Sequence, residues 1–127
     1  MLGELKLLTM ASAMARHSAA RHQVLAENIA NADTVGYRAK DIESFEKSLE
    51  RASGGVRTAT TGAIDAQRLN WRFTEIGGPG LESPNGNTVS LEDQMMRTIE
   101  AQQHHQAATA IYKKAIDILR ISLGKNL

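Results

Sequence analysis

The sequence predicts a mainly α fold: two long terminal helices packed as an antiparallel coiled-coil-like hairpin, joined by a loop-rich middle holding a short helix and one candidate extended strand. Three observations carry that expectation. Apolar and small residues recur at alternating steps of three and four over both ends of the chain. No proline or glycine falls between Glu4 and Gly36. Between the two striped segments the composition shifts to glycine, proline, asparagine and serine, the residues of turns.

The first seam reads Leu8, Ala11, Ala15, Ser18, His22, Leu25 and Ile29, which predicts a helix from about residue 4 to 31, roughly 40 Å long. Its centre is small, so another helix can approach closely. A corner of residues 28–37 follows. Asn28 and Asn31 suit the last free carbonyls of the helix, Asp33 and Thr34 offer oxygens to nearby amides, Gly36 permits a positive φ, and Tyr37 closes the motif. Next, Ile42, Phe45 and Leu49 are spaced for a short helix that Ser53-Gly54-Gly55 ends. Residues 53–88 read as a loop-rich, partly mobile insert. Within it Thr58, Thr60 and Thr61 lead to Leu69–Thr74, which alternates as a strand would, and turns follow at Gly77–Gly80 and Ser83–Asn87.

The last element is the most regular. Ser90 with Asp93 three residues on resembles a capping box, with Val89 as staple. Leu91, Met95, Thr98, Gln102, His105, Thr109, Tyr112, Ile116, Leu119 and Leu123 keep the 4-3 rhythm, flanked by Ala101, Ala108, Ile111, Ala115 and Ile118. Gly124-Lys125 marks the stop. A helix over about 91–123 would be roughly 50 Å long. Beyond Ile111 the apolar band is too wide for one antiparallel partner, so this end calls for further neighbours.

At 127 residues the chain fits one domain. A net charge of +1 asks for neither nucleic acid nor a charged membrane surface. The absence of cysteine excludes disulfide and thiolate chemistry. Glu4 and Lys6 interrupt the early leucines, so no cleavable signal peptide is expected, and no run reaches a membrane span. His17 and His22 lie five apart and His104 and His105 are adjacent, so neither pair has the spacing of a helical metal clamp. Acids interleave with Arg16, Arg21, Arg38 and Lys40, which fits a solvated or contact face. No nucleophile motif or phosphate-cradling loop is present, so no catalysis, cofactor or small-molecule substrate is expected. With aromatics at only 4% and seams rich in alanine, one hairpin has little to bury, and companions are expected to complete it.

Three stretches, Asn28–Tyr37, Arg38–Phe45 and Asn85–Met95, resemble the bacterial flagellar basal-body rod protein family, most closely its proximal members. The last looks like that family's Gly-Asn-x-Val-x-x-Glu signature before the C-terminal helix. The resemblance implies a structural subunit of the periplasmic drive shaft, exported by the flagellar type III apparatus and assembling through its terminal helices. It implies as partners other copies, other rod subunits, the inner-membrane ring, a rod-base adaptor and the export gate. The core-bearing seam positions would be Leu8, Leu25, Ile29, Leu91, Met95, Tyr112, Ile116, Leu119 and Leu123. The chain departs from the pattern where Val35 replaces a common proline and where Ala101–His105 replaces a stretch that often carries Asn and Tyr. From another class, the wide band beyond Ile111 would also suit a soluble helical adaptor or chaperone-like module gripping a client helix.

Overall fold

A computed structural model describes residues 2–54, 69–77 and 82–124. Helix α1 runs Leu2–Ala30, strand β1 Lys40–Ile42, helix α2 Phe45–Gly54, strand β2 Phe73–Glu75 and helix α3 Leu91–Ser122. The fold is mainly helical, and α1 packs along α3. Asn28 bonds to Gln94 and Arg21 to Glu100, so the two helices run antiparallel.

The buried face of α3 differs in register from the expected seam, while that of α1 keeps part of it. On α3 the fully buried positions are Gln94, Ala101, Ala108 and Ala115, one every seven residues. On α1, Ala11, Ser18 and Leu25 are buried at the same interval, and Arg21 and Asn28 join them where His22 and Ile29 were expected. Alanine and serine at the buried positions let the backbones close up. A seam led by Leu91, Met95 and Tyr112 would hold them apart, so those side chains are exposed instead.

The ends of the helices follow local chemistry. Ser90 adopts extended backbone (φ −104°) and its hydroxyl accepts from the Asp93 amide, which starts α3. Gly124, at φ 71°, receives the chain beyond Leu123. Helix α2 begins later than the apolar spacing suggested. Ile42 belongs to β1, and the Ser44 hydroxyl accepts from the Lys47 amide at 3.3 Å to open the helix at Phe45.

The candidate strand also shifts. Leu69–Arg72 are not strand, while Phe73–Glu75 pairs antiparallel with Lys40–Ile42, giving Lys40↔Glu75, Asp41↔Thr74 and Ile42↔Phe73. Sequence reasoning offered no partner for the strand because three residues around Asp41 carry no alternation signal. The start of residues 69–77 packs on the helices: Leu69 is buried against Ala13, with Met10, Phe45, Leu49, Ala52 and Trp71 around them. The threonine-rich lead at 58–61 and the turn at 78–80 lie outside the described residues.

Candidate functional site

The corner after α1 and the loop before α3 form one polar junction. Asn28 is fully buried, inside the last turns of α1, and all four hydrogen-bonding positions of its amide are used. Its Nδ2 donates to the Lys40 carbonyl (2.6 Å) and to Gln94 Oε1 (2.9 Å). Its Oδ1 accepts from the Tyr37 hydroxyl and the Lys40 amide, both at 3.1 Å. One side chain therefore ties α1 to the corner, to β1 and to α3. Asn87 does the same from the other side. Its Nδ2 donates to the carbonyls of Asn31 (2.9 Å) and Thr34 (2.7 Å), and its Oδ1 accepts from the Val89 amide. Burying these amides costs little only because each finds its partners.

The backbone of the corner is shaped around this pair. Asn31 donates to the Glu27 carbonyl (2.8 Å) and accepts from the Thr34 hydroxyl (3.0 Å). Gly36 sits at φ 72° and donates to the Asn85 carbonyl at 2.9 Å. Gly86, at φ 82°, lies against it, and an added Cβ would make ordinary contact with the Gly36 Cα at 3.5 Å. Both backbones need the left-handed region that side chains disfavour. Thr88 then bonds Tyr37 and Ala39, through its amide to one and its hydroxyl to the other. Asp33 and Val35 are exposed, and Asp33 has no hydrogen bond or ion pair among the described residues.

Beside the junction lies a buried charge cluster that sequence reasoning did not find. Asp41 takes a two-pronged contact from Arg21 (3.0 and 3.1 Å) and a third bond from Arg97 at 2.8 Å. Arg97 also bonds Asp93, and Arg21 reaches Glu100. Burial on its own would raise the Asp41 pKa, but hydrogen bonds from Arg21 and Arg97 outweigh it and hold the carboxyl below its ordinary value. Asp41 thus stays charged and clamps α1 and α3 onto β1. Two further cations of the candidate basic patch are paired at the surface: Arg38 with Glu75 and Glu82, and Lys40 with Glu27.

His17 anchors the insert. Its Nε2 donates to the Glu43 carbonyl at 2.7 Å, and its ring meets Trp71 edge-on at 4.9 Å and Phe45 at 5.8 Å. Burial lowers its pKa, Arg21 and His104 push the same way, and the Glu43 carbonyl and Asp41 oppose them. The imidazole is therefore a neutral packing group. These contacts join α1, the corner, β1 and α3 through satisfied buried polar groups.

Of the expected seam residues, Leu25 is buried, Leu8, Ile116 and Leu119 are half-buried, and Ile29, Leu91, Met95, Tyr112 and Leu123 are exposed. Met96, Ile99, Ile111, Ile118 and Ile121 are exposed as well, Ile121 at 77% of its surface. The structure thus brings together Asn28, Asn31, Thr34, Gly36 and Tyr37 in the junction. It leaves the larger apolar side chains of α3 facing outward. Asn87, Gln94, Arg21, Asp41 and Arg97 were the missed partners; a polar residue at a heptad position, as at Gln94, was the one available signal.

Comparison with known proteins covers the same part of the chain and more. The family model for flagella basal body rod proteins matches residues 7–38, the second half of which holds the corner. The flagellar basal body rod protein FlgB of Agrobacterium fabrum is 30% identical over 115 residues, covering 86% of both chains. FlgB of Cereibacter sphaeroides is 32% identical over 114 residues, 81% of this chain and 82% of the relative. FlgB of Escherichia coli K12 is 40% identical over 85 residues, 58% of this chain and 61% of the relative. With relatives that similar along most of its length, this chain belongs to the FlgB family of flagellar basal body rod proteins, structural subunits of the flagellum.

Proposed function

We propose that the chain is a subunit of the proximal rod, building the periplasmic drive shaft by packing its terminal helices against other copies and other rod subunits. It reaches that site through the flagellar type III apparatus. The inner-membrane ring, a rod-base adaptor and the export gate are its neighbours at the base of the rod. The observation that carries this reading is the division of labour on α3. Its alanines close the hairpin, while Ile111, Tyr112, Ile118, Ile121 and Leu123 stay uncovered on the remaining faces. Such a surface gains about 25 cal/mol for each Å² that a neighbour covers. The junction around Asn28 and Asn87 supports the same reading, since a torque-bearing subunit needs its two helices fixed relative to each other.

The test is incorporation. Replacing Ile118 and Ile121 by glutamate adds charge only at exposed positions, so the monomer should keep its circular dichroism and melting temperature. The variant should be absent from purified basal bodies and should fail to restore swimming to cells lacking the wild-type chain. Normal incorporation of that variant would remove the terminal helix as the assembly surface.

A further inference from the structure

Asn85 is the one asparagine in the sequence that a glycine follows; the others precede Ile29, Ala32, Trp71, Thr88 and Leu127. Glycine has no side chain to shield its own amide nitrogen, so Gly86 can offer that nitrogen to the carboxamide carbon of Asn85. The reaction that follows needs only water. The Gly86 nitrogen bonds to Asn85 Cγ, the Cγ–Nδ2 bond breaks, and ammonia leaves with the proton given up by Gly86. Water then opens the cyclic imide at either carbonyl. The product is aspartate or isoaspartate at position 85, with a negative charge added.

Asn85 is exposed, so burial does not keep water from it. Geometry holds the step off instead. Ser83-Pro84-Asn85-Gly86 is a turn closed by the Gly86 amide, which donates to the Ser83 carbonyl at 2.8 Å. With proline second and a negative φ at Asn85, the turn is of type I. On the far side of the same peptide plane, the Asn85 carbonyl accepts from the Gly36 amide at 2.9 Å. The attacking nitrogen and the carbonyl beside it are thus pinned from opposite directions, by the turn and by the corner. Asn85 Oδ1 is held as well, by the Asn87 amide at 3.0 Å. Ring closure requires that peptide plane to rotate until its nitrogen faces Cγ. Such rotation breaks the bonds to Ser83 and Gly36 together.

We infer that Asn85–Gly86 is a deamidation site, closed by the junction in the folded chain and open whenever the chain is unfolded. This is independent of the rod-subunit reading. Time spent unfolded is recorded as a covalent change, because isoaspartate lengthens the backbone within the turn that receives the Gly36 amide and precedes Asn87. A chain altered in this way cannot restore both bonds of that peptide plane, and it refolds to a weaker junction. The liability comes with the architecture. The turn needs glycine at φ 82°, and the Asn85 side chain caps the Asn87 amide.

The test incubates the full-length chain at mildly alkaline pH over a series of urea concentrations. Peptide mapping by mass spectrometry reads the product at position 85, and isoaspartyl methyltransferase labelling reads its isoaspartate share. The rate should be several-fold higher in the unfolded chain, and it should rise through the same urea midpoint as the circular dichroism. Asn85→Ser should abolish the signal in that peptide. A rate equal in the folded and unfolded chain, or one that drifts with urea without a step, would overturn the protection. After refolding, the isoaspartate form should unfold at a lower urea midpoint than the unmodified chain. An unchanged midpoint would overturn the claim that the junction depends on that peptide plane.

Discussion

Asn28 illustrates how much one amide can hold. With no exposed surface and four partners in three elements, its replacement by alanine would strand the Lys40 amide and carbonyl and the Gln94 oxygen away from water. A loss of about 2–3 kcal/mol is expected for Asn28→Ala, read as a lower urea midpoint at unchanged slope. An Asn31→Ala change at the more exposed corner position should cost clearly less. His17 contributes a pH dependence on the acid side. Its folded-state pKa lies below the ordinary value, so the folded chain binds fewer protons there than the unfolded chain. That contribution is complete above about pH 6.5 and is lost as the pH falls from there through the lower folded value. Melting temperatures measured between pH 7.5 and 5 should fall, and His17→Gln should flatten that part of the profile. A profile equally steep in both proteins would assign the effect to another group.

At the scale of the element, the alanines of α3 decide how the helices meet. Ala108 is fully buried, and the neighbouring Ala107 is exposed. Leucine at 108 must push the helices apart or distort its own rotamer, and about 1–3 kcal/mol of destabilisation is expected. Leucine at 107 should leave stability within about 0.5 kcal/mol of the parent, as surface changes usually do. Thermal denaturation of the two variants side by side checks the register. Equal effects would mean that the hairpin seam does not run through Ala108. The small sheet belongs to this scale as well. Two strands of three residues are not stable alone, and β1 survives because Asp41 is clamped from α1 by Arg21 and from α3 by Arg97.

For the whole molecule, the consequence is a stability that depends on company. Most of the large apolar side chains of α3 are exposed, so association covers surface that folding of one chain leaves in water. The apparent melting temperature should therefore rise with protein concentration, as it does whenever the folded form alone associates. Differential scanning calorimetry over a hundredfold concentration range reads this directly. A melt that stays fixed across that range would place the chain's stability entirely within its own hairpin.

The sequence by itself determined the two long helices, their stops, the corner and the family. Each of these is written in neighbours along the chain: a 3-4 rhythm, a capping serine, a glycine needed at positive φ, a run of ten ordered residues. Even the exposed stripe was legible, though it was read as the seam. Periodicity finds apolar positions and cannot tell which of two adjacent stripes a partner will cover. Tertiary structure decided that question in favour of alanine, because small side chains let the backbones approach and fill the space between them. It alone joined Asn28 to Gln94 and Asp41 to two arginines. These contacts link residues more than fifty positions apart or on unrelated elements, and their polar side chains look, in one dimension, like ordinary surface.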